Sequence, residues 1–285
     1  MSPDQLDSNP EYWNQIFCST HMDDGTPICR ACHRLKASHV TYIELGDGRE
    51  ICQDCCGSAI LDTKSFESLV RKCHEFYKSM NMEIDNDIPF FLVDSSEMAK
   101  LTIQIDQDNP FETTYQGNWG IIIHEQRPVV NIITSSSRIG NRMTVIKKPS
   151  EPNNGSMLSI AVLFGFTEAL TGAILVHEMM HVWLRLQDIE PLELKLEEGI
   201  CQVISRRWLD WYESNVVETD TETTKQSDSK RGEFLRNLLR IYKLTLELDS
   251  SFDYGEGFRE AQRATSQFGL QSTIQYIITN ERLPL

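Results

Sequence analysis

Two cysteine pairs constrain this chain more than any other feature: Cys29 and Cys32 in CRAC, then Cys52 and Cys55 in CQDC, with nineteen residues between the pairs. That spacing suits one tetrahedral zinc ion held by four thiolates, provided the intervening chain turns back on itself. HVTYIELGDGREI reads as the hairpin that does so, with its turn at GDG. Four protein ligands leave no open coordination position, so the site is assigned a structural role rather than a redox one. Upstream, Cys18 and His21 in CSTH have the spacing of half a further zinc site, but no CxxC precedes them. His33, His39 or Cys56 would complete that half-site only irregularly. Cys56, Cys73 and Cys201 read as small buried or helix-packing residues.

Composition narrows the function. Lys and Arg number 27 against 42 Asp and Glu, a formal charge of −15, which argues against tracking a phosphate backbone and so against a nucleic-acid partner. With 285 residues there is room for a small module and a medium-sized domain, each with a core. The first thirty residues carry acidic and polar groups where the apolar core of a secretory signal would lie. Metal-ligand cysteines and no such signal point to a reducing compartment, the cytoplasm, with the nucleus as a second location. Met157 to Val176 has the length of a membrane span, but Gly165, Thr167, Glu168 and Gly172 interrupt it and it runs into a polar motif, so no membrane span is expected. Two buried helices joined near GFTE are expected there instead.

Along the chain, a loose first decapeptide precedes the cysteine module, and residues 57–82 repeat apolar positions at helical spacing. Residues 88–148 carry short β-rich runs, FFLV, LTIQI, GIIIH, VVNIIT and MTVIKK, read as one small, mostly antiparallel sheet. Helical periodicity is expected from Leu158 to about Tyr212, then a solvated loop over 217–230, then further helix from Gly232 onward.

Within that helical stretch lies HEMMH. Residues four apart share a helical face, so His177 and His181 can each offer a ring nitrogen to one zinc ion, and Glu178 beside them can act as general base. Zinc would bring the pKa of its water from about 15.7 toward about 7, polarise a scissile carbonyl and stabilise the oxyanion. HExxH arises by chance in many chains, but burying two histidines and a glutamate in AILVHEMMHVWLRL is unfavourable unless a metal or hydrogen bonds compensate them. Downstream, LEEGICQVISRRWLDWY begins with two adjacent carboxylates, either of which can be the third ligand. Glu198 is preferred because it shares a helical face with Gln202 and Ser205, while Ile200, Val203 and Ile204 form the apolar side; Glu197 is the alternative. Two acids in a first turn would also suit the helix dipole without any metal. Tyr254 in DYGEGF is the candidate oxyanion donor, with Tyr242 and Tyr276 equal to it on composition. His124 reads as a strand-end histidine, and MTVIKK or VVNIIT as the strand edge bordering the cleft.

These residues are specific enough to suggest a family. YWNQIFCSTH, CRACHRL, LGDGREICQDCCGSAILDT, LTGAILVHEMMHVWLRL, LEEGICQV and YGEGFREAQRATSQFGL occur in order, and together they resemble the plant DA-one and DA-one-related proteins, LIM-domain, ubiquitin-activated peptidases that restrain organ growth. The resemblance implies an α+β fold: a LIM-like zinc module with a truncated first half over residues 1–75, then a zincin domain of the gluzincin type over 76–285. It also implies one catalytic and at least one structural zinc. Its substrates would be intracellular regulators, including ubiquitin ligases and a deubiquitinase, and its partners ubiquitin, those ligases and other family members. The competing readings are a zinc-stabilised adaptor that binds ubiquitin or ligases without cutting, and an idle regulator of active relatives.

Overall fold

Gly46 and Gly48 take φ of 89° and 87°, which only glycine adopts freely, and the GDG turn they form folds β1 (Tyr42–Glu44) antiparallel onto β2 (Glu50–Cys52). Tyr42 thereby faces Cys52 across the hairpin, and Cys52 caps the one-turn helix α1 (Gln53–Cys56). The structure, a computed structural model, describes Trp13 and residues 15–22, 24–84, 87–108, 119–124, 129, 131–150, 158–187, 189, 191–217 and 228–284. The expected loose decapeptide, residues 218–227 of the expected loop, and the His124 side chain lie outside what is described.

Asp62 accepts a hydrogen bond from the Ser65 N–H and starts α2 (Thr63–Ser79), whose buried face is Phe66, Leu69, Cys73, Phe76 and Tyr77. The expected boundary near residue 75 falls inside this helix. Next come β3 (Phe90–Val93), α3 (Ser95–Asp108), β4 (Gly120–His124), β5 (Asn131–Ile139), β6 (Arg142–Pro149) and β7 (Leu158–Leu163). Two expectations fail here. LTIQI lies in α3 rather than in a strand, because Asp94 accepts from the Glu97 N–H and caps a helix start that local β-propensity does not override. LSIAVL forms strand β7 rather than a helix: it is central in its sheet and buried on both faces, so its apolar run lacks the alternation that marks a strand.

Among the described residues the strands form two sheets, not one. In the first, β7 pairs parallel with β3 and antiparallel with β4, in the order β3-β7-β4. In the second, β2-β1-β6-β5, the long β5–β6 hairpin joins the cysteine hairpin through a parallel contact between Glu44 and Arg142. Helices α4 (Glu168–Arg185), α5 (Leu194–Tyr212), α6 (Asp228–Leu248), α7 (Gly257–Phe268) and α8 (Leu270–Asn280) complete the chain, with a π-helical turn at Phe252–Glu256 before α7. The helical content expected beyond Gly232 is present. One apolar core runs from Ile43 and Leu45 in the cysteine hairpin through β7 and α4 to Ile274 in α8. Among the described residues no helix is long and apolar enough to cross a membrane.

Candidate metal centres

Cys29, Cys32, Cys52 and Cys55 are all buried, with their sulfurs within 4.8 Å of one another. The Cys52 N–H donates to Cys29 Sγ at 3.2 Å, and Arg34 donates from Nε to Cys32 Sγ at 3.4 Å and from Nη2 to Cys52 Sγ at 3.1 Å. Hydrogen bonds from Cys29, Cys32 and Cys55 hold the Cys52 thiol far below its ordinary pKa, while burial pushes Cys32 and Cys55 well above theirs. Protons and one guanidinium thus share a role that a divalent cation among four thiolates would fill, and the donor set fits a soft metal ion. Cys18 and His21 are exposed; Thr20 Oγ1 donates to Cys18 Sγ at 3.1 Å, and His21 Nδ1 lies 2.7 Å from Asp24. Among the described residues they belong to no group of three side chains whose ligand atoms lie close enough together to hold an ion.

The second centre lies between α4 and α5. Helix α4 is apolar all round and buried from Ala169 to Val182, as expected of a core helix. Side chains of α2 and α5 bond its carbonyl oxygens: Trp208 Nε1 to Ala169 at 3.0 Å, Ser205 Oγ to Ala173 at 2.9 Å, and the Tyr77 hydroxyl to Val176 at 2.7 Å. On the α5 side, His177 Nε2 and His181 Nε2 approach to 3.2 Å, and Glu198 extends between them, Oε2 at 3.1 Å from the first and Oε1 at 3.7 Å from the second. Glu198 Oε2 is out of line for a hydrogen bond, so among the described residues it is a buried oxygen that makes an ion pair with His177 but no hydrogen bond. His181 Nδ1 lies 2.5 Å from Glu197 Oε1, and Arg185 Nη1 reaches the same oxygen at 3.4 Å.

Burial opposes charge on both His181 and Glu198. Even so, Cys201, Glu198 and Glu197 raise the His181 pKa well above its ordinary value, and His181 and His177 hold Glu198 well below its own. The attraction between His181 and Glu198 thus opposes burial, in a place where a metal ion can displace a proton. Two imidazoles and an unsatisfied carboxylate oxygen fit such an ion. Cys201 adds a further donor, its sulfur within 4.8 Å of ring nitrogens of both histidines.

Glu178 is buried on the sheet side of α4. A Cβ placed on Gly120 would lie 2.9 Å from Glu178 Oε1 and 2.6 Å from Ile174 Cγ2, so the absent side chain lets β4 run directly over the glutamate. Among the described residues β4 pairs with β7 alone. The strand beside Glu178 is therefore GIIIH. MTVIKK pairs on both sides, with β5 and β1, and the strand containing NIIT belongs to the other sheet.

Sequence comparison gives this architecture a family. A profile described as DA1-like, Protein DA1, matches residues 79–280. Protein DA1-related 1 of Arabidopsis thaliana is 33% identical over 279 residues, covering 93% of this chain and 50% of that protein. The chain belongs to the DA1 family. Protein DA1 of Arabidopsis thaliana is 31% identical over 282 residues (96% of this chain, 52% of that protein), and the LIM domain-containing protein HDR3 of Oryza sativa subsp. japonica is 31% identical over 285 residues (93% and 56%). The chain spans about half the length of the curated DA1 relatives it matches. No solved structure matches it.

In this DA1-family chain the four cysteines lie together in one centre, and His177 and His181 lie together in the other with Glu198 and its alternative Glu197 beside them. Tyr254 is half-buried in the π-helical turn before α7. Tyr242 does not serve as an oxyanion donor, since its hydroxyl is buried between Ala31 and Thr167 at the opposite end of α4 from His181. Gly120 and Cys201 were not expected at the site. Gly120 carries no local signal beyond preceding III, whereas Cys201 lies one helical turn from Glu198 and could have been placed beside the ligands from that spacing.

Proposed function

We propose that this chain is a zinc-dependent endopeptidase acting on intracellular regulatory proteins, with His177, His181 and Glu198 holding the catalytic ion and Glu178 as general base. The observation that carries the reading is the convergence of His177, His181 and Glu198 on one point, with Glu178 one position along the same helix beneath strand β4. A zinc ion bound there supplies Lewis acidity that acidifies water and polarises a carbonyl. The rest falls to the chain's own groups. Glu178 takes the proton from the attacking water and returns it to the leaving amine. Glu197 fixes the His181 ring through Nδ1, which leaves Nε2 on the Glu198 side, free to hold an ion. An extended peptide adds to the outer edge of β4 through backbone hydrogen bonds, which brings its carbonyl past Gly120 and Glu178. Tyr254 is the candidate donor to the oxyanion.

Zinc in the four-cysteine site holds the LIM-like module together. The substrates proposed from the family resemblance are ubiquitin ligases, a deubiquitinase and growth regulators in the cytoplasm or nucleus. Ubiquitination would act as regulator and family members as hetero-partners; Cys18 and His21 remain a candidate half-site. The test measures metal stoichiometry and cleavage of a ubiquitin ligase together. His177→Ala with His181→Ala should lose one metal and all cleavage while the cysteine-site metal stays. Cleavage that survives the double substitution contradicts the reading, and an uncut substrate with a full site supports the adaptor instead.

A further inference from the structure

The helix that carries HEMMH lacks a side-chain N-cap. Thr167 occupies the N-cap position, yet its hydroxyl makes no bond to the first turn. Thr167 Oγ1 lies instead 3.0 Å from the Tyr242 hydroxyl, which donates its proton to the Ala31 carbonyl at 2.8 Å. With that proton committed, Thr167 must be the donor to Tyr242. Ala31 sits between Cys29 and Cys32, and all three members of the relay are buried.

The second knuckle grips the same spot. Just beyond Cys55, the Ser58 carbonyl accepts the Glu168 N–H at 2.7 Å, Ile60 N–H donates to Phe166 O at 2.9 Å, and Gly165 N–H donates to Ile60 O at 3.0 Å. Both halves of the cysteine site thus hold the first residues of α4, one through backbone alone and the other through a single tyrosine. The capping that a side chain usually gives a helix start comes here from the cysteine module.

We infer that Tyr242 is a positioning residue that transmits the geometry of the four-cysteine site to the start of α4 and so sets the seat of His177 and His181. Helix α4 is continuous from Glu168 to Arg185, so a change at its N-cap carries along its axis to the histidines. A buried hydroxyl that loses its partner carries the full cost of its desolvation, so such pairs make strict geometric demands. The inference rests on the reading of the histidines as metal ligands and does not need cleavage.

The test uses the full chain as wild type, Tyr242→Phe, Thr167→Val and the double variant. Zinc affinity of the histidine centre is measured by chelator competition, alongside hydrogen exchange of the 168–176 amides. Each single variant should fill both centres at saturating zinc, bind the histidine-site ion about tenfold more weakly and exchange faster at the start of α4, with the double variant no worse than either single. Wild-type affinity and exchange in the single variants, or additive losses in the double, would overturn the inference. If Tyr242→Phe does not fold, Thr167→Val decides alone, because it leaves the Tyr242–Ala31 bond in place. If the wild-type histidines bind no metal, the peptidase reading fails there while exchange still reports on the relay.

Discussion

His181 divides its two ring nitrogens between neighbouring carboxylates: Nδ1 lies 2.5 Å from Glu197 Oε1, while Nε2 faces Glu198 Oε1 at 3.7 Å. In the proposed site adjacent residues of α5 would therefore have different tasks, one orienting a ligand and the other being one. Glu197→Gln should weaken metal binding at this centre by about 10–100-fold yet leave it fillable. Glu198→Ala should empty it. Chelator competition on both variants checks the division, and a site emptied by Glu197→Ala but not by Glu198→Ala would reverse it.

Gly120 matters through what it lacks. The methyl of Gly120→Ala would meet Glu178 Cγ and Oε1, both at 2.9 Å, and would have to move the glutamate or lift β4. A displacement near 1 Å costs about 100-fold in rate where a base must meet a proton in line. Steady-state kinetics with metal analysis should therefore show kcat reduced by about that factor with zinc content unchanged. A fully active variant would show that Glu178 does not need this strand.

Replacing Cys29 and Cys32 together by Ala should unfold more than the hairpin, because the core that begins at Ile43 and Leu45 continues into α4. Structural zinc contributes roughly 10 kcal/mol or more of apparent binding energy to folding. Thermal denaturation with and without chelator reads the effect. A double variant that melts like wild type would mean the thiolates carry no structural metal.

His33 should give stability a pH dependence. Burial, with a smaller contribution from Arg30, lowers its pKa to about 4 from 6.5, so between those values the unfolded chain takes up a proton that the folded chain refuses. Its contribution is whole above pH 6.5 and falls away as the pH drops toward 4, by about 3 kcal/mol at most. His33 holds a φ of 60°, which Asn tolerates well, so His33→Asn should fold and show a shallower loss of stability over that window in denaturant titrations. An unchanged slope would place the titration elsewhere.

Much of the candidate site was legible because its chemistry is local. HEMMH and LEEG each place their groups within one or two turns of a helix, and CxxC pairs bind as units, so spacing alone brings the donors together. What spacing does not carry is which strand lies against Glu178, since that depends on two sheets and a parallel β3–β7 pairing between distant segments. LSIAVL illustrates the limit: a strand buried on both faces and a core helix are alike in apolar content, and only its partners β3 and β4 decide between them. The link from Ala31 through Tyr242 to Thr167 is likewise invisible in sequence, because its three groups are spread over more than two hundred residues.

Whether Glu178 acts as a base beside a bound metal is decided by one comparison. Wild type and Glu178→Gln, each before and after ubiquitination, are incubated with a ubiquitin ligase substrate while zinc content and far-ultraviolet circular dichroism are recorded. Wild type should cleave and Glu178→Gln should lose about 10²–10⁴-fold, with metal content and fold the same in both. Wild type as inert as Glu178→Gln under both conditions, or Glu178→Gln cutting as fast as wild type, would contradict that role.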